Sequence, residues 1–284
     1  MDIGIAYANA GPLSRPEVGG ALARLAEEAG FESLWTVEHV VVPAGYESTY
    51  PYSADGRMPG GEDVDIADPL VWLAWVGGQT SRIKLATGIL ILPQRNPLVL
   101  AKEVATLDRL TGGRVVLGVG IGWLREEFEA LGVPFEERGA RTEEYIQALR
   151  AAWTQDSPTF EGRFTSFAGA KSNPKPDQAG GVPIVVGGHS EGAARRAGRF
   201  GDGFFPGSAD VETTAHLIGV MRKAAEEAGR DPDAIQVTCA ARFDPETVER
   251  YAELGVTRLM VPPPGFDVAT LEEQLPRLAE ALRS

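Results

Sequence analysis

Short apolar runs alternate with longer segments of helical periodicity along the chain. Each run ends in glycine, proline or a polar pair, and there are eight of them: residues 3–7, 33–37, 84–90, 115–120, 183–188, 203–206, 235–240 and 258–261. Strands that alternate with helices predict a parallel sheet, because parallel strands need crossover connections. Eight such units in 284 residues predict an α/β fold, a (β/α)8 TIM barrel formed as a single domain by residues 1–284.

The helical segments carry start and stop signals. Ser14 and Glu17 have the spacing of a capping box, and Pro16 lies in the first turn, where a missing N–H costs little. Gly30 is predicted to end this helix. The glycine pair at 112–113 is predicted to end the helix after the third strand.

Two connections are longer than a minimal barrel needs, one after the second strand and one after the fourth. Residues 40–67 contain three tyrosines among prolines, glycines and serines, which favours a folded loop over a tail. Residues 123–153 have helical periodicity and are predicted to form two helices. Residues 160–164, in the same connection, are predicted to form a small hairpin.

The active site of such a barrel lies at the C-terminal ends of the strands. Strand two ends in Glu38 and His39, and a histidine beside a carboxylate is suited to acid–base chemistry because imidazole titrates near neutrality. A structural histidine under a loop, with Glu38 bracing that loop, is the alternative. Strand three ends in Thr87, Gly88 and Ile89, where glycine predicts a bulge, a close backbone approach or simple relief of twist.

Strand four ends in a glycine-rich turn that contains Gly120, Ile121 and Gly122. It resembles a dinucleotide fingerprint superficially, but the third glycine is missing from the expected position. We interpret this turn as tightly packed backbone that faces a ligand.

Strand five ends in Gly187, Gly188, His189 and Ser190, directly before a helical segment. Free backbone N–H groups and the helix dipole favour a phosphate at such a turn. An ordinary helix cap is the alternative.

Composition narrows the class of function. With 40 acidic and 27 basic residues, the net charge of −13 argues against nucleic-acid binding. Three histidines and one cysteine are too few for most transition-metal sites, so we expect no metal. Cys239 cannot form an internal disulfide and is predicted to be buried and inert. No secretory signal and no apolar run of membrane-spanning length is visible, so we expect a cytoplasmic enzyme that does not enter the membrane.

Several segments taken together resemble the luciferase-like flavin and deazaflavin oxidoreductases, particularly the branch that uses coenzyme F420. The resemblance extends from Met1 to at least Pro206. The segments typical of that family are Asp68-Pro69-Leu70, Leu92-Pro93-Gln94-Arg95-Asn96-Pro97 and Ala197-Gly198-Arg199-Phe200-Gly201-Asp202-Gly203. The family fold is a (β/α)8 barrel, which agrees with the pattern above.

The resemblance also implies roles for the strand ends. His39 would face the reactive edge of the cofactor ring and Glu38 would orient it. Thr87, Gly88 and Ile89 match the place where this family holds a non-proline cis peptide behind the deazaflavin. The turn at 120–122 would lie along the cofactor, and the turn at 187–190 would hold its phosphate. The resemblance further implies a homodimer.

We therefore expect an oxidoreductase that transfers hydride between coenzyme F420 and an unidentified small organic substrate covered by residues 40–67. Two alternatives remain: an FMN-dependent monooxygenase that uses reduced flavin and oxygen, and a non-redox barrel enzyme or cofactor-binding protein. Sugar-phosphate members of the family use a second carboxylate, for which we find no clear match. Trp123 follows the corresponding strand, with Glu126 and Glu127 beyond it, which argues against a sugar phosphate as substrate.

Overall fold

The computed structural model describes residues 1–207, 210–240 and 245–282. The strands are β1 Asp2–Ile5, β2 Ser33–Thr36, β3 Lys84–Thr87, β4 Leu90–Ile91, β5 Val115–Gly120, β6 Phe160–Glu161, β7 Ser166–Phe167, β8 Ile184–Gly187, β9 Gly203–Phe205, β10 Gln236–Ala240 and β11 Val256–Val261. The α-helices are α1 Pro16–Ala29, α2 Pro69–Gly77, α3 Pro97–Thr111, α4 Arg125–Ala130, α5 Arg138–Thr154, α6 Glu191–Phe200, α7 Val211–Glu227, α8 Pro245–Glu253 and α9 Val268–Ala281.

Eight parallel strands close into a ring. Neighbours follow the order β3-β2-β1-β11-β10-β9-β8-β5, and pairing of β3 with β5 closes the ring. Ile5 lies opposite Val261 at the seam between first and last strands, and Leu85 lies opposite Val115 at the closure. The predicted (β/α)8 barrel is confirmed, and all strand C-termini lie at one end, called the mouth below.

The third predicted strand is interrupted. β3 ends at Thr87 rather than at residue 90, and the short strand β4 follows and pairs with β5. The peptide bond between Gly88 and Ile89 is cis, as the resemblance implies. The Thr87 hydroxyl donates to the Gly118 carbonyl at 2.6 Å inside the barrel wall. This side chain is therefore turned into the wall rather than toward a cofactor.

The predicted capping box at the first helix is wrong. Arg15 occupies the N-cap of α1 without a side-chain bond, and the Ser14 hydroxyl instead donates to the Gly11 carbonyl in a preceding 3-10 turn. Pro16 opens α1 because its ring fixes a helical φ. The helix ends at Gly30, which is left-handed with φ 82°, as predicted.

Both predicted insertions are present. Helices α4 and α5 form the connection after β5, and β6 and β7 form the antiparallel hairpin within it. Residues 40–67 have no regular strand or helix but are held by internal hydrogen bonds, such as that from the Tyr50 N–H to the Gly56 carbonyl. No helix in the described part of the chain is long and apolar enough to cross a membrane.

The barrel interior is filled by side chains. The largest is Trp35, 1% exposed, and its neighbours inside the ring are Ala86, Val116, Val185 and Met260. Between sheet and helices lies a larger apolar layer that also contains Cys239. Burial raises the pKa of this thiol to about 12, in agreement with the predicted inert role. Because the interior is filled, a ligand has no room inside the ring and would bind at one of its two ends.

Candidate functional site

The mouth brings together the predicted site residues of strands two to five, although they are far apart in sequence. Parallel strands place their C-terminal ends on one rim, so these turns share one surface.

His39 is held by a carboxylate from the helix after β5. Its Nδ1 lies 3.0 Å from Glu127 Oε2, and the two side chains are 9% and 0% exposed. The other Glu127 oxygen accepts the backbone N–H groups of Val40 at 2.6 Å and Val41 at 3.3 Å. These donors fit an ionised carboxylate, so His39 Nδ1 carries the proton and Nε2 is left as the basic nitrogen.

The expected role of Glu38 as the residue that orients His39 needs correction. The hydrogen bonds of Glu38 go to Ile91 and Arg95, whereas His39 is held by Glu127. One oxygen of Glu38 accepts the Ile91 N–H, and the other accepts two N–H groups of Arg95, from Nε at 3.1 Å and from Nη2. Arg95 also pairs with Asp68 at 3.1 Å.

Glu38 and Arg95 form a buried ion pair that braces the mouth. Burial raises the pKa of Glu38, and the charge and hydrogen bonds of Arg95 oppose this shift. For Arg95, burial favours the neutral form, but Glu38 raises its pKa above the usual value. Because the described partners of Glu38 are all N–H donors, the ionised carboxylate fits this geometry. Glu38 therefore holds β4 and Arg95 beneath the mouth.

A second glutamate of α4 anchors residues 40–67. Glu126 accepts the Glu47 and Ser48 N–H groups at 2.7 and 3.0 Å and the Ser48 hydroxyl at 2.6 Å. Burial raises the pKa of Glu126, but the hydrogen bonds from Ser48 and the backbone outweigh it and lower the pKa to about 2. Together, Glu126 and Glu127 tie this loop to α4 at two points.

Aromatic rings form a row across the mouth. Trp123 contacts His39 at 5.6 Å and Tyr50 at 5.2 Å between ring centroids, Tyr50 contacts Tyr52 at 5.3 Å, and Tyr52 contacts His189 at 5.2 Å. All four contacts are edge-to-face, the arrangement that the ring quadrupoles favour. Burial raises the pKa of Tyr50 and Tyr52, so both phenols stay neutral. The row covers the mouth from the end of β2 to the end of β8.

Ile89 forms the floor of the mouth. A Cβ added at Gly120 would lie 2.7 Å from Ile89 Cδ1, and one at Gly187 would lie 2.6 Å from Ile89 Cγ2. Both glycines are thus needed to seat Ile89. Tight packing was predicted for the turn that contains Gly120, whereas Gly187 was predicted only to help hold a phosphate. Ile89 itself is half-buried and offers an apolar surface at the rim, beside half-buried Ile121.

Gly122 is required by its backbone and by close packing. Its φ of 76° is left-handed, and an added Cβ would lie 2.7 Å from the Phe128 ring. Its carbonyl accepts a hydrogen bond from Arg138 Nε at 3.2 Å. The turn therefore connects the mouth to the first turn of α5.

The turn after β8 leads directly into α6. Gly188 has φ 145°, and Ser190 is the N-cap, with its hydroxyl accepting the Ala193 N–H at 3.3 Å. His189 and Ser190 are exposed. The first N–H groups of a helix have no intrahelical acceptors, so this end presents donors and a positive dipole to an anion. The cap and the predicted phosphate site are compatible.

One cavity of about 240 Å³ lies at the other end of the barrel. It is lined by Lys84 and Gln236, the first residues of β3 and β10, and by Arg114 and Arg258. Arg114 is hydrogen-bonded to backbone carbonyls, and Arg258 forms a two-point ion pair with Glu32 at 2.8 Å. The arginines that line this cavity are engaged in structural hydrogen bonds and ion pairs. In TIM barrels the N-terminal face of the strands serves stability, so we do not place the active site here.

The mouth fits a flat, anionic cofactor on three observations. Ile89 offers an apolar surface, and the start of α6 offers N–H donors. Gln94 follows β4 at this end of the barrel, and both polar atoms of its side chain are buried and have no partner among the described residues. An amide in this state retains two N–H donors and an acceptor oxygen. Within the same described part, no group of three His, Cys, Asp or Glu side chains could hold a metal ion.

Comparison with known proteins gives the family. The family described as luciferase-like monooxygenase matches residues 7–283. An uncharacterized protein of Mycobacterium tuberculosis is 34% identical over 265 residues, which are 92% of this chain and 93% of that protein. The F420-dependent glucose-6-phosphate dehydrogenase of Kineococcus radiotolerans is 32% identical, over 88% of this chain and 74% of that protein. The FMNH(2)-dependent dimethylsulfone monooxygenase of Pseudomonas putida is also 32% identical, over 81% of this chain and 64% of that protein.

Solved structures share the fold. An F420-dependent secondary alcohol dehydrogenase, in complex with an F420-acetone adduct, superposes with a TM-score of 0.77 at 21% identity, over 100% of this chain and 99% of that one. A monooxygenase from Streptomyces bottropensis superposes with a TM-score of 0.76 at 23% identity, over 100% of this chain and 99% of that one. The match of nearly the whole chain decides the assignment: this protein belongs to the luciferase-like monooxygenase family, which includes both F420-dependent and FMN-dependent oxidoreductases.

Proposed function

We propose that this protein is an F420-dependent oxidoreductase that transfers a hydride between the deazaflavin and a small organic substrate at the barrel mouth. The observation that carries the proposal is the buried pair of His39 and Glu127, since His39 follows β2 and half-buried Ile89 follows the neighbouring strand β3. Bound F420 would supply the hydride, which leaves the protein to position the reactants, exclude water and move a proton.

The chain's own residues match these tasks. Glu127 keeps the proton of His39 on Nδ1, so Nε2 accepts a proton from an alcohol substrate or, when protonated, donates one to a carbonyl. The aromatic row and residues 40–67 exclude water above this nitrogen. The turn at 187–190 and the start of α6 would hold the cofactor phosphate.

An FMN-dependent monooxygenase is the second candidate. It is favoured by the 32% identity to the FMNH(2)-dependent dimethylsulfone monooxygenase, which equals the identity to the F420-dependent dehydrogenase. Both ring systems are flat and carry a phosphate, so Ile89 and the start of α6 suit either. We favour F420 because the sequence segments that carry the resemblance point to that branch.

The test is a titration of the purified protein with each cofactor, followed by cofactor fluorescence. Saturable binding of F420 with little binding of FMN supports the proposal. Preference for FMN assigns the protein to the monooxygenases instead, and saturable binding of neither favours a non-redox barrel protein. His39→Asn should leave cofactor binding within about 3-fold but lower turnover by about 10²–10⁴, the usual contribution of a general acid or base.

We also propose that the protein is a homodimer that associates through α2 and α3. These helices expose apolar side chains on their outer faces, with Val71 70%, Trp75 39%, Val99 55% and Leu110 78% exposed. An apolar area of this kind is typical of an interface between proteins. Val71→Glu should convert a dimer to monomer in light scattering after size-exclusion chromatography, whereas a monomeric wild-type protein contradicts the proposal.

A further inference from the structure

Arg196, on α6, is a buried guanidinium with little to bind. The residue is 6% exposed, and its Nε has no hydrogen-bond partner among the described residues. Its ion pair with Glu143 Oε1 is long, at 3.5 Å. Glu143 is moreover shared with Arg199, which approaches the same oxygen at 2.9 Å. A buried charge without full hydrogen bonding is costly, which suggests that a binding partner for this group comes from outside the chain.

The guanidinium lies at the mouth end of the groove between α5 and α6. A Cβ added at Gly139, in the first turn of α5, would lie 2.8 Å from Arg196 Nη2. Side chains on a helix lean toward its N-terminus, so Arg196 reaches up toward the start of α6. Helices of this barrel begin at the mouth, because each follows a strand that ends there.

A second guanidinium connects this groove with the end of β5. Arg138, the first residue of α5, lies 3.8 Å over the Phe135 ring and donates through Nε to the Gly122 carbonyl. Burial lowers the pKa of Arg196, Glu143 opposes this, and the charges of Arg199 and Arg138 lower it further. Positive charge is therefore concentrated here despite a net charge of −13.

Apart from Glu143, which Arg196 and Arg199 share, two nearby carboxylates are engaged by other arginines. Glu136 pairs with Arg125 at 2.8 Å, and Glu137 holds Arg163 through two hydrogen bonds, the longer at 2.8 Å. These acids precede α5, but their ion pairs point away from Arg196 toward other arginines. The arginines of the groove thus retain donor capacity for an added anion.

We propose that Arg196, Arg138 and Arg199 form a binding site for a phosphate or carboxylate anion, supplied by the acidic tail of the bound cofactor. This inference rests on the proposed function. F420 carries a phosphodiester and glutamate carboxylates beyond its ring, whereas FMN ends in one phosphate. Arg138 donates to the Gly122 carbonyl, on the side of the mouth where the ring is expected, and Arg196 and Arg199 lie on the neighbouring helix α6. Planar guanidinium groups suit phosphate and carboxylate oxygens equally.

The test compares a deazaflavin that carries the phosphate and glutamate tail with one that lacks it. Dissociation constants are measured by fluorescence for the wild type, Arg196→Met, Arg196→Lys and the control Arg195→Met. Arg195 lies on the same helix, is about half exposed and pairs with Glu191, so it controls for loss of one charge. Arg196→Met should weaken binding of the tailed cofactor by about 10- to 100-fold and binding of the tail-less one by less than about 3-fold. The affinity of Arg196→Lys for the tailed cofactor should lie between those of the wild type and Arg196→Met.

Competition distinguishes the source of the anion. Displacement of the tailed cofactor by inorganic phosphate identifies a phosphate subsite, and displacement by oligoglutamate identifies a carboxylate subsite. Either supports the proposal when Arg196→Met weakens the displacement and Arg195→Met does not, because a phosphate bound only at the turn at 187–190 would compete equally in both variants. Displacement that is the same in both variants contradicts it. If Arg196→Met leaves the affinity ratio of tailed to tail-less cofactor unchanged, the proposal is wrong even when both deazaflavins bind.

A ligand-free measurement separates this proposal from the proposed function. If neither deazaflavin binds, the proposed function fails. The anion site is then tested by comparing the melting temperature of the protein in phosphate with that in chloride at equal ionic strength. A phosphate-dependent rise in melting temperature that Arg196→Met abolishes and Arg195→Met retains supports the site, and an equal rise in all three proteins overturns it. Without ligand, Arg196→Met should melt no lower than wild type, because it removes a buried charge whose one ion pair is long and whose Nε has no hydrogen bond, while Arg199 still holds Glu143.

Discussion

Replacing Glu127 with glutamine tests how His39 is set up for proton transfer. The carboxylate uses one oxygen for the Val40 and Val41 N–H groups, at 2.6 and 3.3 Å, and the other for His39 Nδ1, at 3.0 Å. An amide of the same shape has one oxygen and one NH2 group. It therefore cannot accept hydrogen bonds on both sides.

The structure determines which side the amide oxygen takes. Two backbone donors compete with one histidine for the neutral amide oxygen, and each hydrogen bond to such an acceptor is worth about 0.5–1.5 kcal/mol. The oxygen is expected to stay with the Val40 and Val41 N–H groups, which leaves the NH2 group against His39 Nδ1. His39 then switches tautomer: Nδ1 becomes the acceptor, and Nε2 carries the proton and is no longer basic.

Three measurements follow this change. In Glu127→Gln, 15N chemical shifts of the His39 ring should report protonated Nε2. The free energy of unfolding should fall by about 1–3 kcal/mol, through loss of the charged acceptor. For any substrate that the wild type turns over, kcat/KM should fall by about 10²–10⁴. Glu129→Gln is the matched control, since Glu129 lies on the same helix and is exposed. Ring shifts and kcat/KM that both match wild type would refute this reasoning.

Three further predictions concern stability. Gly187→Ala should lower the free energy of unfolding by about 1–3 kcal/mol through overpacking against Ile89, and the added substitution Ile89→Ala should recover most of the loss. Gly219→Ala, in the open space of α7, should instead raise it by about 0.5–1 kcal/mol, as denaturant titrations can establish. Glu27 accepts three backbone N–H groups before β3, and although burial opposes it, these bonds lower its pKa from 4.5 to about 2. Because the pKa is lowered in the folded state, ionised Glu27 stabilises the fold above pH 4.5, and this stabilisation is lost as the pH falls toward 2. In Glu27→Gln the free energy of unfolding should therefore depend less on pH between about pH 5 and 2 than in the wild type. The control Glu28→Gln, at an exposed position, should keep the wild-type pH dependence. If the free energy of unfolding of Glu27→Gln falls as steeply with acid as that of the wild type, the assignment is contradicted.

The order of elements was predictable because it depends on local patterns. Apolar runs of strand length separated by helical periodicity imply crossover connections, and eight of them imply closure. Gly30 ends α1 because a left-handed residue without Cβ terminates a helix at little cost. Ser14 misled because its hydroxyl had a closer acceptor, the Gly11 carbonyl, than the N–H groups of α1.

The partners of the site residues were not predictable to the same degree. Glu38 stands next to His39 in sequence, yet Glu127, 88 positions away, holds the imidazole. Two acids in the first turn of the helix after β5 were a visible signal for such a role. The sequence could not say which carboxylate faces His39, because that depends on the path of residues 40–67 over α4.

The sequence by itself determined the barrel, the rim that carries the site and the four strand ends that meet there, since period and spacing set secondary structure and parallel strands share their ends. Only the tertiary structure decided that Glu127 orients His39, that Glu38 braces Arg95, and that Gly120 and Gly187 make room for Ile89. These roles depend on distances of a few ångströms between segments far apart in the chain. Packing sets such distances, and no local pattern encodes them.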